Sequence, residues 1–241
     1  MSSSLPESPP LALPCLTHQQ AHLMEQRLLQ RAITSGQTQW QMWRQQQAII
    51  VTRKDAHLAH FEQACRVLNA EGWPVFVRNS GGTAVPAGPG ILNLSLTLPT
   101  TSGLGPDDYY QLLGAPLLAC LRQLGLEAGY GPVPGSFCDG RYNLVAAGRK
   151  ITGTAQHWRA AGSTQGGAVL AHAMVMVAGD MELGTRLASR FYELAGSELR
   201  FAPNTSTTLG SLLGWQGSDD EQALRFATLL QPSLTSQQVT D

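Results

Sequence analysis

Apolar side chains recur along this chain at two spacings. Ala21, Met24, Leu28 and Ala32 fall at helical intervals behind Thr17, whose distance from Gln20 predicts a capping box, and Gly36 stops that helix. Leu92, Leu94, Leu96 and Leu98 instead alternate with Asn93, Ser95 and Thr97, which predicts a half-buried antiparallel strand. Between the two patterns, Trp40 to Thr52 contains a buried-looking strand, AIIVT. Asp55 is expected to cap a second helix with Leu58, Phe61, Cys65 and Leu68 turned inward, and PVFVR from Pro74 to Arg78 reads as a short strand.

In the second half, Asp107 opens a helix to about Leu124, stopped by Gly125, with Pro116 as an internal kink or division. Tyr142 to Val145 and Lys150 to Arg159 read as paired strands around an Ala147-Gly148 turn. Gly167 to Val177 is apolar on both faces, as a central strand is. Glu182 to Ala195 is a helix closed by Gly196, and Ser218 with Glu221 caps a last helix through Leu230. No internal repeat stands out. The mixture predicts an α+β (mixed α/β) fold, a largely antiparallel mixed sheet flanked by helices. Residues 1–15, rich in Ser and Pro, are expected to be disordered or loosely laid on the surface, 16–215 to form the main domain, and 216–241 a C-terminal helix and tail.

A length of 241 residues fits one large domain or two small ones and allows a substantial core. Sixteen basic side chains against seventeen acidic ones leave a net charge of -1, without the basic excess of a nucleic-acid binder. A hydrophobic content of 43% excludes a disordered chain. No apolar run approaches the roughly 20 residues of a membrane span, and residues 1–14 lack the pattern of a secretory signal. Cys15, Cys65, Cys120 and Cys138 show neither metal-ligand spacing nor a disulfide rhythm, so a cytoplasmic protein with reduced thiols is expected. Lys54 and Lys150 are the only lysines, and lysine offers a compact ammonium with a tunable pKa where arginine does not.

Several residues invite chemistry. Arg78 leads into Asn79-Ser80-Gly81-Gly82, a turn whose glycines let backbone N–H groups approach a ligand, although alone it equally suits an ordinary hairpin. It matches neither the Rossmann nor the P-loop spacing. Cys65 and Cys120 sit on apolar helix faces, whereas Cys138 lies on a loop between Gly135 and Gly140, where a thiol can be exposed and activated by a nearby cation. Lys150 is the candidate cation. Its strand pairing places it opposite Val145, so the 135–140 loop must fold back for the two to meet. His157 and His172 lie in strands and read as hydrogen-bonded structural histidines; metal spacing and the Gly-x-Ser-x-Gly hydrolase elbow are both missing.

Arg78-Asn79-Ser80-Gly81-Gly82-Thr83-Ala84-Val85, followed by Pro89-Gly90-Ile91-Leu92-Asn93-Leu94-Ser95, resembles the R-x-x-G-G-x-A-V…G-x-L-N-x-S signature of the biotin/lipoate protein ligase superfamily, in its lipoate-ligase and octanoyltransferase branch. Gly148-Arg149-Lys150-Ile151-Thr152-Gly153-Thr154-Ala155-Gln156 is similar to that branch's G-[RK]-K-[IL]-x-G-x-A-Q motif. The resemblance runs from about Leu16 to Leu213. Within the branch, Ser136 to Leu144 looks most like the octanoyl-[glycine cleavage H protein]:protein transferases, whose nucleophilic cysteine precedes the lysine motif.

The resemblance implies an acyltransferase of protein lipoylation with the biotin/lipoate ligase type of catalytic domain. An octanoyl or lipoyl group would pass from a carrier through a Cys138 thioester to a lysine of a lipoyl domain, with Lys150 favouring the thiolate or orienting the acyl carbonyl. Arg78, Ser80, Gly81, Gly82, Thr83, Ala84, Asn93, Gly153, Thr154 and Ala155 would bind substrate. Partners would be a lipoyl domain or glycine cleavage H protein, with acyl carrier protein a further candidate donor, and neither nucleic acid nor membrane. No metal or cofactor is expected, because thioester exchange is close to isoenergetic and amide formation follows from it. Burying an octanoyl tail contributes roughly 5–6 kcal/mol before ordering costs, and one methylene changes selectivity by about 1–3 kcal/mol.

Two alternatives stay open: ATP- and magnesium-dependent lipoate ligation through an adenylate, and non-catalytic binding of acylated carrier domains. Against the first, Thr83 and Pro86-Ala87-Gly88 stand where ligases usually carry a third glycine and a His-Asp pair. The chain also departs from its relatives at Asn143 (commonly Asp), at His157-Trp158 (commonly a basic pair) and at Ala173 after His172 (often Gly).

Overall fold

A computed structural model describes residues 11, 13–100, 103–160 and 166–235. In chain order the elements are β1 (Cys15–Leu16), α1 (His18–Ser35), β2 (Gln39–Gln45), β3 (Ala48–Thr52), α2 (Phe61–Ala70), β4 (Val75–Arg78), β5 (Val85–Ala87) and β6 (Ile91–Pro99). There follow α3 (Pro106–Gln123), β7 (Ala128–Tyr130), β8 (Leu144–Ala146), β9 (Arg149–Arg159), β10 (Ala168–Met176), α4 (Met181–Leu194), α5 (Leu209–Leu213) and α6 (Asp219–Thr235). Seven strands form a large mixed sheet in the order β1-β2-β6-β10-β9-β8-β7, and three form a small sheet, β4-β3-β5. The expected mixed α/β class holds. The separate small sheet was not anticipated, because a parallel β3–β4 pair leaves no local turn to read.

The capping box at Thr17 forms, with Gln20 N donating to Thr17 Oγ1 at 3.2 Å and Thr17 N to Gln20 Oε1 at 2.9 Å. Gly36 closes α1 at φ 67°, in the left-handed conformation that a glycine adopts without penalty. Pro116 lies inside α3 without dividing it. Residues 1–10 and 12 of the expected loose N-terminal segment lie outside the described residues. Cys15, at its end, pairs in parallel with Arg44 of β2.

Two expectations are corrected. Asp55 does not cap a helix running into Phe61. It begins a short 3-10 turn, and its carboxylate accepts from Thr52 N at 2.9 Å and Thr52 Oγ1 at 2.8 Å, which spends its acceptors on the strand behind it. β6 is not half-exposed either: Asn93, Ser95 and Thr97 are as buried as the leucines between them. The leucine face packs with Leu113, Leu117 and Leu121 of α3 and Phe226 and Leu230 of α6. The polar face is covered by α1, where Ser95 Oγ donates to Glu25 Oε1 at 2.8 Å. Ser95 and Thr97 are tolerated there because their hydroxyls are hydrogen-bonded, and Asn93 because it lines a cavity and meets His172 through Oδ1.

The small sheet carries its own core. Ile49 and Val51 of β3 pack with Ala64 and Leu68 of α2 and with Ala188 and Phe191 of α4. The seam between the two sheets is where the residues singled out above converge.

Candidate active site

Cys138 stands between the sheets, held by its own peptide. Its N–H donates to Thr83 Oγ1 at 2.7 Å, from the loop after β4. Its carbonyl oxygen accepts from Lys150 Nζ at 3.0 Å and from Asn143 Nδ2 at 2.9 Å, on the large-sheet side. These bonds fix the residue at φ 51°, a left-handed conformation costing a non-glycine residue on the order of 1–3 kcal/mol unless its surroundings impose it. The loop at 135–140 therefore does fold back over the β8–β9 hairpin. Lys150 pairs with Val145 as expected and reaches the loop with its full side-chain length.

The sulfur faces a different set of groups. Thr83 N lies 3.2 Å from Cys138 Sγ and Arg78 Nη2 lies 3.4 Å from it. The guanidinium is itself fastened, donating to Ile50 O at 2.9 Å, Gly81 O at 3.0 Å and Thr83 O at 2.8 Å. An amide N–H and a guanidinium thus both aim donors at the sulfur, and Thr83 O lies 3.6 Å from it. Arg78 is thus the cation hydrogen-bonded at the sulfur, whereas the Lys150 ammonium donates to carbonyls, those of Cys138 and, at 2.7 Å, Phe137.

Lys150 is 1% exposed, with its ammonium 5.0 Å from the centre of the Phe137 ring. Burial pushes its pKa down to about 8, partly opposed by the attraction of Cys138 and Asp139. Gly153 lies against it: a Cβ there would come 3.3 Å from Nζ.

Beside Cys138 opens a cavity of about 830 Å³. Of the predicted substrate-binding residues, Arg78, Ser80, Asn93, Gly153, Thr154 and Ala155 line it together with Cys138. Gly81, Gly82, Thr83 and Ala84 do not. They form the loop under the sulfur, and Ala84 is fully buried with its N–H bonded to Tyr192 Oη at 2.9 Å. Lys150 borders a second, smaller cavity of about 190 Å³ with Phe137, Trp73, Met176 and Met181. Val85, Gly153 and Met174 line both cavities.

The far wall of the larger cavity, under α1, is polar. Glu25 Oε1 lies 2.8 Å from His172 Nδ1, His172 Nε2 lies 3.1 Å from Asn93 Oδ1, and Trp43 Nε1 donates to Ser95 Oγ at 3.0 Å. Opposed by burial but outweighed by His172 and Ser95, the Glu25 carboxyl is held below its ordinary pKa. His172 is hydrogen-bonded as its strand position suggested. His157 also lines this cavity, and Trp158, 43% exposed, stands edge-on to Tyr109.

Sequence reasoning missed Asn143 as a positioning group. It is 1% exposed, donates to Cys138 O, and accepts from Thr154 N at 3.1 Å. An amide serves one donor and one acceptor at once, which an ionised Asp cannot, so Asn143 suits a neighbour that presents a carbonyl. Among the described residues no cluster of three or more His, Cys, Asp or Glu could hold a metal, and no helix is long and apolar enough to cross a membrane.

The family description "lipoyl protein ligase A/B catalytic domain" matches residues 18–194. The chain is 36% identical over 204 residues to an octanoyl-[GcvH]:protein N-octanoyltransferase of Kyrpidia tusciae, covering 83% of this chain and 71% of that relative. It is 43% identical over 159 residues to an uncharacterized protein of Cupriavidus necator, covering 61% of this chain and 63% of that one. Among solved structures, a lipoate-protein ligase A bound with ATP superposes with a TM-score of 0.64 at 16% identity, covering 94% of this chain and 86% of that one, a likeness of fold.

Proposed function

The chain belongs to the lipoyl protein ligase A/B catalytic-domain family, and on that premise we propose that it moves an octanoyl group, through a thioester on Cys138, to the lysine of a lipoyl domain. The donor is an acylated carrier, with glycine cleavage H protein first among the candidates because the Kyrpidia relative carries that name. What supports the reading most is the sulfur of Cys138, which borders the large cavity with a guanidinium at 3.4 Å and an amide N–H at 3.2 Å.

The chemistry runs in two exchanges. The Cys138 thiolate attacks the acyl carbon of the octanoyl-lysine amide on the H protein, the C–N bond to the donor breaks, and the donor lysine leaves as an amine that takes up a proton, so that the acyl group is held as a thioester on Cys138. The acceptor amine then attacks the Cys138 thioester carbon. Its nitrogen gives up a proton, the C–S bond breaks, and the sulfur leaves as the thiolate that Arg78 and Thr83 N–H held at the start. Asn143 and Lys150 keep the Cys138 peptide in place during both steps by holding its carbonyl. One lysine amide is exchanged for another, close to isoenergetic overall, so this route consumes no ATP.

Mass spectrometry of the protein mixed with octanoyl-loaded H protein tests the assignment. An octanoyl adduct that hydroxylamine removes, and that Cys138→Ser does not form, is expected. Adenylate formation from ATP and free acid, undiminished by Cys138→Ser, would instead identify a ligase. Retained carrier binding with neither adduct nor turnover would identify a non-catalytic binder.

A further inference from the structure

Tyr192, on α4, is 3% exposed and lies outside both the cysteine loop and the cavity wall, yet it is bonded to the loop on which the sulfur rests. Its hydroxyl accepts from Ala84 N at 2.9 Å and donates to Asp55 Oδ1 at 3.0 Å. The other oxygen of Asp55 accepts from Thr52 N and Thr52 Oγ1. Ala84 N–H belongs to the same rigid peptide as Thr83 O, which accepts Arg78 Nη2 at 2.8 Å. Tyr192 therefore grips one end of a plane whose other end anchors the guanidinium beside Cys138 Sγ. Rotation of that plane would move the Thr83 carbonyl and take Arg78 with it.

The direction of each bond is determined. A backbone N–H only donates, so the tyrosine oxygen accepts from Ala84 and its proton points toward Asp55 Oδ1. Burial pushes the Tyr192 phenol well above its ordinary pKa, which keeps that proton in place.

We propose that Tyr192 is a positioning residue for the reactive sulfur, acting through the Thr83–Ala84 peptide on Arg78, with Asp55 orienting its hydroxyl. The proposal rests on the assignment of Cys138 as the nucleophile. Tyr192→Phe keeps the ring against Phe191 and Phe201 and removes only the oxygen.

The test is the pH profile of iodoacetamide alkylation at Cys138, followed in the full chain by mass spectrometry of the Cys138 peptide. In Tyr192→Phe the rate at pH 7 is expected to fall about 10-fold, the loss of one hydrogen bond to a charged group, while the rate at pH 10 stays within about 2-fold. Octanoyl transfer should lose kcat in proportion, with KM for the carrier unchanged. A merely structural role would lower the melting temperature and leave the profile alone. Parent-like alkylation and turnover would overturn the proposal. If Tyr192→Phe does not fold, Asp55→Asn is read in the same way: a smaller, about 3-fold loss at pH 7 is expected, and equal rates would overturn it. Full transfer by Cys138→Ser would sink the nucleophile assignment itself, a result independent of either variant.

Discussion

Gly82 and Cys138 are in contact: a Cβ built on Gly82 would stand 2.3 Å from Cys138 Sγ. Gly82 also sits at φ +107°, where a side chain is strained whatever the space around it. The second glycine of the turn is therefore a seat for the sulfur as well as a bend. Gly82→Ala is expected to displace Sγ from Arg78 and Thr83 N and to cut octanoyl transfer by at least about 100-fold. The loss of stability should stay at about 1–3 kcal/mol, which paired kinetics and denaturant melts would check. A variant within twofold of the parent would contradict this arrangement.

Arg78 bonds three carbonyls and faces the sulfur with one guanidinium. Lysine has the charge but not the planar fork, so it cannot serve Ile50 O, Gly81 O and Thr83 O together. Arg78→Lys should fold, lose about 10- to 100-fold in kcat, and alkylate slowly at Cys138. Stopped-flow acylation with an octanoyl thioester measures it. Unchanged burst kinetics would show that charge alone suffices.

Lys150 gives a pH-dependent prediction with a fixed sign. Its pKa is about 8 in the folded protein and about 10.5 when unfolded. Between these values the unfolded chain binds the extra proton, so stability rises with pH across that window. Below about pH 7 both states are protonated and the burial penalty is fully present, on the order of 3 kcal/mol. Lys150→Met removes it together with two hydrogen bonds. Relative to the parent, the variant should be favoured most near pH 7 and lose about 3 kcal/mol of that advantage by pH 10.5. Urea melts across this range test it; parallel pH profiles would exclude a depressed lysine. The same variant should be impaired in transfer, since the Cys138 carbonyl loses one of its two donors.

Met174, with Val85 and Gly153, divides the two cavities. Trimming it to Ala should join them and let longer or branched acyl chains enter. A shift in preference of about 1–3 kcal/mol per methylene, roughly 10- to 200-fold in relative kcat/KM, is expected. Competition between octanoyl and decanoyl carriers reads it directly. An unaltered ratio would mean that the chain never approaches this partition.

Local signals were read correctly. The Thr17 capping box, the Val145–Lys150 pairing and the central β10 all follow from contacts within a few residues or from continuous patterns. The two glycine-lysine motifs were likewise recognised, and most of their residues meet around one cavity. Asp55 shows why the rest was not legible. Its position before an apolar helical run fits a cap, but its carboxylate is claimed by Thr52 and by Tyr192, the latter 137 residues away. No local pattern records such a partner. The alternation in β6 marked two faces truthfully but could not say that α1 would cover the polar one. Lys150 was placed near Cys138, yet whether its ammonium met the sulfur or the carbonyl depended on the left-handed turn at Cys138, which nothing in the residue type announces.

The Cys138 sulfur takes its polar neighbours from the small-sheet side, and the chamber beside it is walled largely by α1 and the strands of the large sheet. Arg78 and Thr83 belong to the β4–β5 connection; Asn93, Thr154, His172 and Met174 belong to strands β6, β9 and β10. The groups at the sulfur and the bulk of the chamber wall are thus supplied mainly by different layers of the fold, which share Arg78, Ser80 and Val85 at their seam. Substitutions on the far strands of the chamber can therefore alter its shape at a distance from the groups that hold the sulfur.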